Sequence, residues 1–103
     1  MTMIKRMPKR FLEDAPREVY DIFDNGGETH DRYDVFLTPF DDCIPFMAFS
    51  ESGWFYHGDI EVWQFRGYRD RVRRTRLAWN DLPEKIRNAV RFDIEQEATA
   101  WAG

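Results

Sequence analysis

Two histidines, one cysteine and a run of arginines are the residues here whose chemistry is specific enough to test first. His57, Asp59 and Glu61 alternate in the string H-G-D-I-E. On a strand, alternate residues project from one face, and an imidazole with two carboxylates is a donor set that zinc or manganese accepts. With His30 or Asp31 added, the set would be the centre of a small metal-dependent hydrolase. Gly58 instead favours a turn, and the competing account is an exposed polar loop. Cys43 has no basic neighbour in sequence that would activate it as a nucleophile. Ile44 and Phe46 beside it point to a partly buried, inert thiol. A single cysteine excludes an internal disulfide and fits a reducing cytoplasm. No G-x-S-x-G, no G-x-x-x-x-G-K-[ST] and no G-x-G-x-x-G string occurs. The sequence therefore names no catalytic residue, metal or cofactor, and it reads as a non-enzymatic protein.

The strongest candidate surface is the segment 66–76, with Arg66, Tyr68, Arg69, Arg71, Arg73, Arg74 and Arg76. Arginine outnumbers lysine twelve to three in the chain, and its planar fork pairs with carboxylates and phosphates and stacks on rings. Such a run can track a phosphate backbone while Tyr68 and Trp79 stack on bases. It can equally dock on an acidic patch of a protein, or pair with the chain's own acids. The charge pattern leaves all three open. The net charge is −4, yet residues 12–63 carry −11 and residues 64–80 carry +5. An acidic chain is repelled by nucleic acid overall. The acidic block also admits the opposite use, as a decoy in a nuclease's basic channel, against ordinary solubility as the plainer account. Trp54 and Tyr56, in the aromatic run Trp54-Phe55-Tyr56, are further partner-binding candidates, since aromatic and Arg side chains dominate interface hot spots. At least one of the three must face outward. Phe92 is another possible anchor.

These residues need elements to position them, and 103 residues suffice for one domain. Residues 1–17, basic at the start and interrupted by Pro8 and Pro16, read as a flexible tail with Phe11 and Leu12 able to dock on the body. The domain proper is 18–103. Runs 18–24 and 31–37 flank Asn25-Gly26, which tolerates the positive φ of hairpin turns. Alternation puts Val19, Asp21 and Phe23 on one face of the first run and Tyr20 and Ile22 on the other; a helix over 15–23 is the competing reading. Residues 44–50 are apolar on both faces, as in a buried strand. Residues 60–65 read as a strand or an irregular segment that Gly67 interrupts, and 71–78 as an Arg-protected edge strand. Residues 80–101 form the best helix. Asp81 is placed as N-cap with Glu84 completing a capping box, and Pro83 lies in the first turn. Leu82, Ile86, Ala89, Val90, Ile94, Ala98 and Trp101 fall on one side of it, with Phe92 roughly opposite. The expected architecture is α+β: an antiparallel sheet of four to five strands packed against one long C-terminal helix, its other face open to water or a partner. An exposed edge would also permit a homodimer. No apolar run is long enough to cross a membrane, and the N-terminus lacks the apolar core of a signal peptide.

The strings D-N-G-G-E-T-H-D-R-Y at 24–33 and W-N-D-L-P at 79–83 carry a resemblance. The chain resembles a group of small uncharacterised proteins of bacteriophages and related mobile elements. They share a D-N-G-G-x-T-x-D-R-Y hairpin, here Asp24, Asn25, Gly26, Gly27, Thr29, Asp31, Arg32 and Tyr33, and many have a D-L-P helix start, here Asp81, Leu82 and Pro83. The match spans roughly residues 18–95, while 38–76 departs from the group and the Arg-rich stretch is extra. The resemblance implies a mobile-element origin in a bacterial host cytoplasm and carries over no catalytic residues. Small accessory proteins of such elements often bind and disable host machines, including restriction and CRISPR nucleases. The expectation is thus a protein that binds and occludes a host protein or protein–nucleic acid complex. Direct nucleic-acid binding through 66–76 is the alternative. Physically, every residue of the hairpin string suits a structural role: Asn25 and the glycines the turn, Asp31 and Thr29 free loop amides, Arg32 a pair with Asp24 or Asp31.

Overall fold

The hairpin predicted from Asn25-Gly26 forms, and the sheet grows from it. In a computed structural model of the chain, the backbone is described for residues 9–26, 31–69 and 75–102, and the side chains for 11–26, 31–67 and 75–97. Strands β1 (Val19–Asp24), β2 (Tyr33–Leu37), β3 (Cys43–Phe49) and β4 (Phe55–Glu61) follow one another as an antiparallel meander. Helix α1 (Val62–Arg69) leads away from β4, and the short β5 (Thr75–Arg76) pairs antiparallel with β1 at the far edge. The strand order is β4-β3-β2-β1-β5. A 3-10 turn at Trp79–Asp81 then precedes α2 (Glu84–Ala102). The fold is α+β, with five strands and a C-terminal helix. No helix among the described residues is long and apolar enough to cross a membrane.

Two apolar clusters lie on opposite faces of the sheet. On one, Val19, Ile22, Tyr33, Val35, Met47 and Phe49 pack with Trp79, Leu82, Ile86 and Val90. The α2 stripe behaves as its spacing predicts: Ile86 and Val90 are fully buried, Ala89 and Ile94 pack beside them, and Phe92 is exposed. Ala98 and Trp101 have side chains outside the described residues. Phe11, Leu12 and Ala15 pack on the same cluster, so the segment expected as a tail joins the body from the 3-10 turn Lys9–Leu12 onward. On the other face, Phe23, Phe36, Ile44 and Phe65 form a second cluster. Phe65 comes from α1, its ring 4.8 Å from that of Phe36. The expectation of one bare sheet face is therefore corrected: α1 crosses it.

Local chemistry explains the other differences. The β1·β2 register slips between Val19↔Leu37 and Asp21↔Phe36, which makes Tyr20 the extra residue of a β-bulge. Val19 and Ile22 thus share a face, and Tyr20 joins Phe23 on the other, overturning the simple alternation. Ile60 and Glu61 end β4, residues 62–65 open α1, and Gly67 lies inside α1. The missed signal was E-V-W-Q: the Gln64 side chain accepts the Glu61 N–H at 2.9 Å, half of a capping box. At α2, the Arg87 N–H donates to the Pro83 carbonyl at 3.0 Å, so Pro83, not Asp81, precedes the first helical residue. Asp81 closes the 3-10 turn instead. Cys43 opens β3 and is exposed, not partly buried. Of the edge strand expected over 71–78, Thr75 and Arg76 pair with β1; residues 71–74 lie outside the described residues.

Candidate interaction surface

The hairpin string D-N-G-G…D-R-Y builds a network that also reaches Asp34, Tyr56 and, through Arg32 Nη1 at 3.3 Å, Glu51. Arg32 grips Asp24 with its fork, Nε to Oδ1 at 2.7 Å and Nη2 to Oδ2 at 3.2 Å. The Gly26 N–H donates to the same Asp24 Oδ1 at 2.8 Å, and Gly26 has the positive φ of 93° that the turn requires. Burial pushes the Asp24 carboxyl up, but the Arg32 hydrogen bond and charge, with the Gly26 N–H, outweigh it and hold Asp24 below its ordinary range. The pairing raises Arg32 in turn. Asn25 Nδ2 donates to the Asp31 carbonyl at 2.8 Å and to Asp34 Oδ2 at 2.7 Å. Asp31 Oδ2 accepts the Tyr56 hydroxyl at 2.7 Å. That bond, with burial and the nearby Asp31 charge, pushes Tyr56 up to about 12. Thr29 and His30 lie outside the described residues.

The register places His57, Asp59 and Glu61 on one face of β4, as alternation requires, opposite Met47, Pro45 and Cys43. Asp31 meets Tyr56, on the other face, and cannot complete a donor set with them. His57 Nε2 instead pairs with Asp93 Oδ1 of α2 at 2.8 Å. Among the described residues, no group of three or more His, Cys, Asp and Glu side chains is placed to hold a metal ion.

The arginine segment is divided among elements. Arg66 is exposed on α1. Tyr68 and Arg69 end that helix, with side chains outside the described residues, as are Arg71, Arg73 and Arg74 altogether. Arg76 turns inward: Nε lies 3.1 Å from Asp21 Oδ1 and Nη2 3.2 Å from Oδ2, while the guanidinium stands 5.8 Å from the Phe23 ring centre. Asp21 is 1% exposed.

The aromatic run behaves differently. Trp54 is 81% exposed and Tyr56 52%, with Phe55 also outward. Phe55 and Tyr56 begin β4, an edge of the sheet, and Trp54 immediately precedes it. The other end of β4 carries a second group, which sequence reading did not single out. Phe40 is 76% and Trp63 67% exposed, and Trp63 borders a cavity of about 260 Å³ with Asp42, Glu61, Val62 and Arg66. Trp63 Nε1 donates to a Glu61 carboxylate oxygen. On α2, a step of about 100° per residue puts Lys85, Phe92 and Asp93 on one side. The Lys85 stem lies 3.7 Å from where a Gly53 Cβ would stand, and Asp93 holds His57. That side of α2 therefore faces the β4 flank. Isolated exposed aromatics are ordinary; among the described residues, five of the six exposed large hydrophobics gather at the two ends of one strand. No family model, curated protein or solved structure matches the chain.

Proposed function

We propose that this chain is a non-enzymatic binding protein that attaches to a macromolecule of a bacterial host and acts by occlusion. In this reading it is an accessory protein of a phage or other mobile element, at work in the host cytoplasm. Its target class is a nucleic-acid-handling defence complex, as for anti-restriction and anti-CRISPR proteins. The observation that carries the binding reading is the exposed aromatic flank of β4: Trp54 and Tyr56 at one end, Phe40 and Trp63 with Arg66 at the other. Large rings beside an arginine are the side chains that anchor protein interfaces. A protein partner is favoured over direct nucleic-acid binding because Arg76 is already engaged by Asp21 and the chain is acidic overall.

The test is capture from bacterial lysate with and without nuclease, read by mass spectrometry. The expected result is a stoichiometric protein that survives nuclease and is lost on combining Phe40→Ala with Trp63→Ala, the circular dichroism spectrum being unchanged. Recovery of nucleic acid alone, with affinity falling steeply with salt, would replace this reading by direct nucleic-acid binding through 66–76.

A further inference from the structure

We infer that β4 is the interface to a second copy of this chain, added antiparallel across a two-fold axis at Gly58 so that two sheets become one. The inference rests on the reading of the β4 flank as a contact surface. It assigns the strand itself to a second copy and leaves Phe40, Trp63 and Arg66 for a host partner.

The backbone shows which groups are available. Ser50 N–H donates to the Trp54 carbonyl at 2.7 Å, and Val62 N–H to the Asp42 carbonyl at 2.8 Å. The β3·β4 register is unbroken between these points, from Cys43↔Glu61 to Phe49↔Phe55. Hydrogen-bonded and non-hydrogen-bonded pairs alternate along an antiparallel ladder. Tyr56, Gly58 and Ile60 therefore direct their N–H and C=O groups at β3. Phe55, His57, Asp59 and Glu61 direct theirs at the open edge. Pro45, which has no N–H to give, stands opposite Asp59, as this parity requires. The Gln64 side chain occupies the Glu61 N–H; the outward groups of Phe55, His57 and Asp59 have no partner among the described residues. β4 also lacks the Lys or Pro that blunts many edge strands.

The side chains select the occupant and the register. About a two-fold axis at Gly58, the seven residues of β4 come opposite β4 of the second copy, and with the Glu61 N–H taken by Gln64 the hydrogen bonds fall on His57, Asp59 and the Phe55 N–H. His57 falls opposite Asp59 of the second copy, twice by symmetry, and these outward residues exchange backbone hydrogen bonds. His57 Nε2 pairs with Asp93, and Nδ1 faces that Asp59, to which it donates when the ring carries both protons. Tyr56 falls opposite Ile60, an aromatic–aliphatic pair. By the same count Trp54 comes beside Val62 and the start of α1 of the second copy. Gly58 meets Gly58 in a non-hydrogen-bonded pair, where strands approach most closely. The Phe46 ring already fills the space that a side chain there would need. A slip of two residues either way sets His57 against His57 or Asp59 against Asp59. An imidazole and a carboxylate at equal distances from a central glycine suit a strand that pairs with itself, which is why a second copy is favoured over a foreign peptide.

Sedimentation equilibrium of the purified 103-residue chain tests this. The expected result is a reversible species of twice the chain mass. Asp59→Pro removes an outward N–H that β3 does not use, so it should weaken dimerisation at least about tenfold with the thermal transition of the monomer retained. Asp59→Lys, which replaces the acceptor facing His57 with a longer donor, should do the same without touching the backbone. A monomer at every concentration, or a dimer that both variants leave intact, overturns the inference. The two proposals fail separately. A dimer that captures nothing from lysate removes the host partner and leaves this interface, and a monomer that captures a protein does the reverse.

Discussion

Arg76 of β5 closes a two-point ion pair with Asp21 of β1, Nε to Oδ1 at 3.1 Å and Nη2 to Oδ2 at 3.2 Å. It joins the basic segment to the acidic block across the edge of the sheet. Asp21 is buried on β1 opposite Phe36, where a carboxylate is costly without a countercharge. Alternation puts Asp21 and Phe23 on one face together, and the bulge at Tyr20 is what sends Val19 to the other. Part of the arginine run is therefore structural, holding β5 to the sheet.

Arg76→Ala should cost roughly 1.5–3 kcal/mol, the range for a hydrogen bond to a charged group. Urea unfolding reads this as a lower midpoint with an unchanged slope. Asp21→Asn in the same chain should recover part of the loss, since the buried group left behind no longer carries a charge. An Arg76→Ala protein as stable as the parent would show that the pair contributes nothing.

The Asp24–Arg32 fork makes a pH prediction. Asp24 is held below its ordinary range in the folded chain, so its contribution is fully present above the unfolded carboxylate value of about 3.9. It is lost as pH falls through the lower, folded value. Arg32→Gln removes the main cause of that depression, so it should lower stability at neutral pH and flatten this acid limb, leaving the alkaline limb unchanged. Unfolding midpoints measured between neutral and acid pH distinguish the two curves.

Much of this was legible in the residues. Asn25-Gly26 between β-rich runs gave the hairpin, Ile44 to Ser50 the buried strand, and the spacing of Leu82, Ile86 and Val90 the covering helix. The fork of Arg32 on Asp24 was also foreseeable from their places at the two ends of one turn. Three things were not. A bulge leaves no mark in alternation, because Tyr20, Asp21 and Ile22 are compatible with either face. Helix α1 begins inside an alternating string, I-E-V-W-Q-F, whose strand period hides the Glu61–Gln64 cap. Phe40 and Trp63 are far apart in sequence and become one end of a surface only when Val62 follows β4 beside Asp42.

Tyr56 gives the alkaline counterpart. Its hydroxyl donates to Asp31 and its ionisation is pushed up to about 12. A raised folded value means that its contribution is fully present below the ordinary tyrosine value of about 10. That contribution is lost as pH rises through about 12. Absorbance titration near 295 nm, with Tyr56→Phe as the blank, isolates this group from the other tyrosines. Asp31→Asn should bring the titration back toward about 10; a titration that stays put would mean that Asp31 is not the cause.

The exposed and buried tryptophans should separate cleanly on substitution. Trp63 is 67% exposed and Trp79 fully buried. Trp63→Ala should change stability by no more than about 0.5 kcal/mol, whereas Trp79→Ala should cost about 3–5 kcal/mol. Thermal unfolding of the two variants measures both. The first result is also what makes Trp63→Ala a fair probe of binding, since a surface substitution that unfolds the chain says nothing about a partner.

Gly58 should be irreplaceable for a reason that the strand itself does not supply. A Cβ there would lie 2.6 Å from Cζ and 2.9 Å from Cε1 of Phe46, its cross-strand neighbour in β3. Gly58→Ala should therefore cost about 1–3 kcal/mol by overpacking, although alanine is no worse than glycine for an extended backbone. The cost belongs to the pair, so it should vanish in a Phe46→Ala background. A double-mutant cycle on unfolding free energies gives the coupling. If Gly58→Ala costs the same with and without the Phe46 ring, the glycine serves the backbone and not the ring.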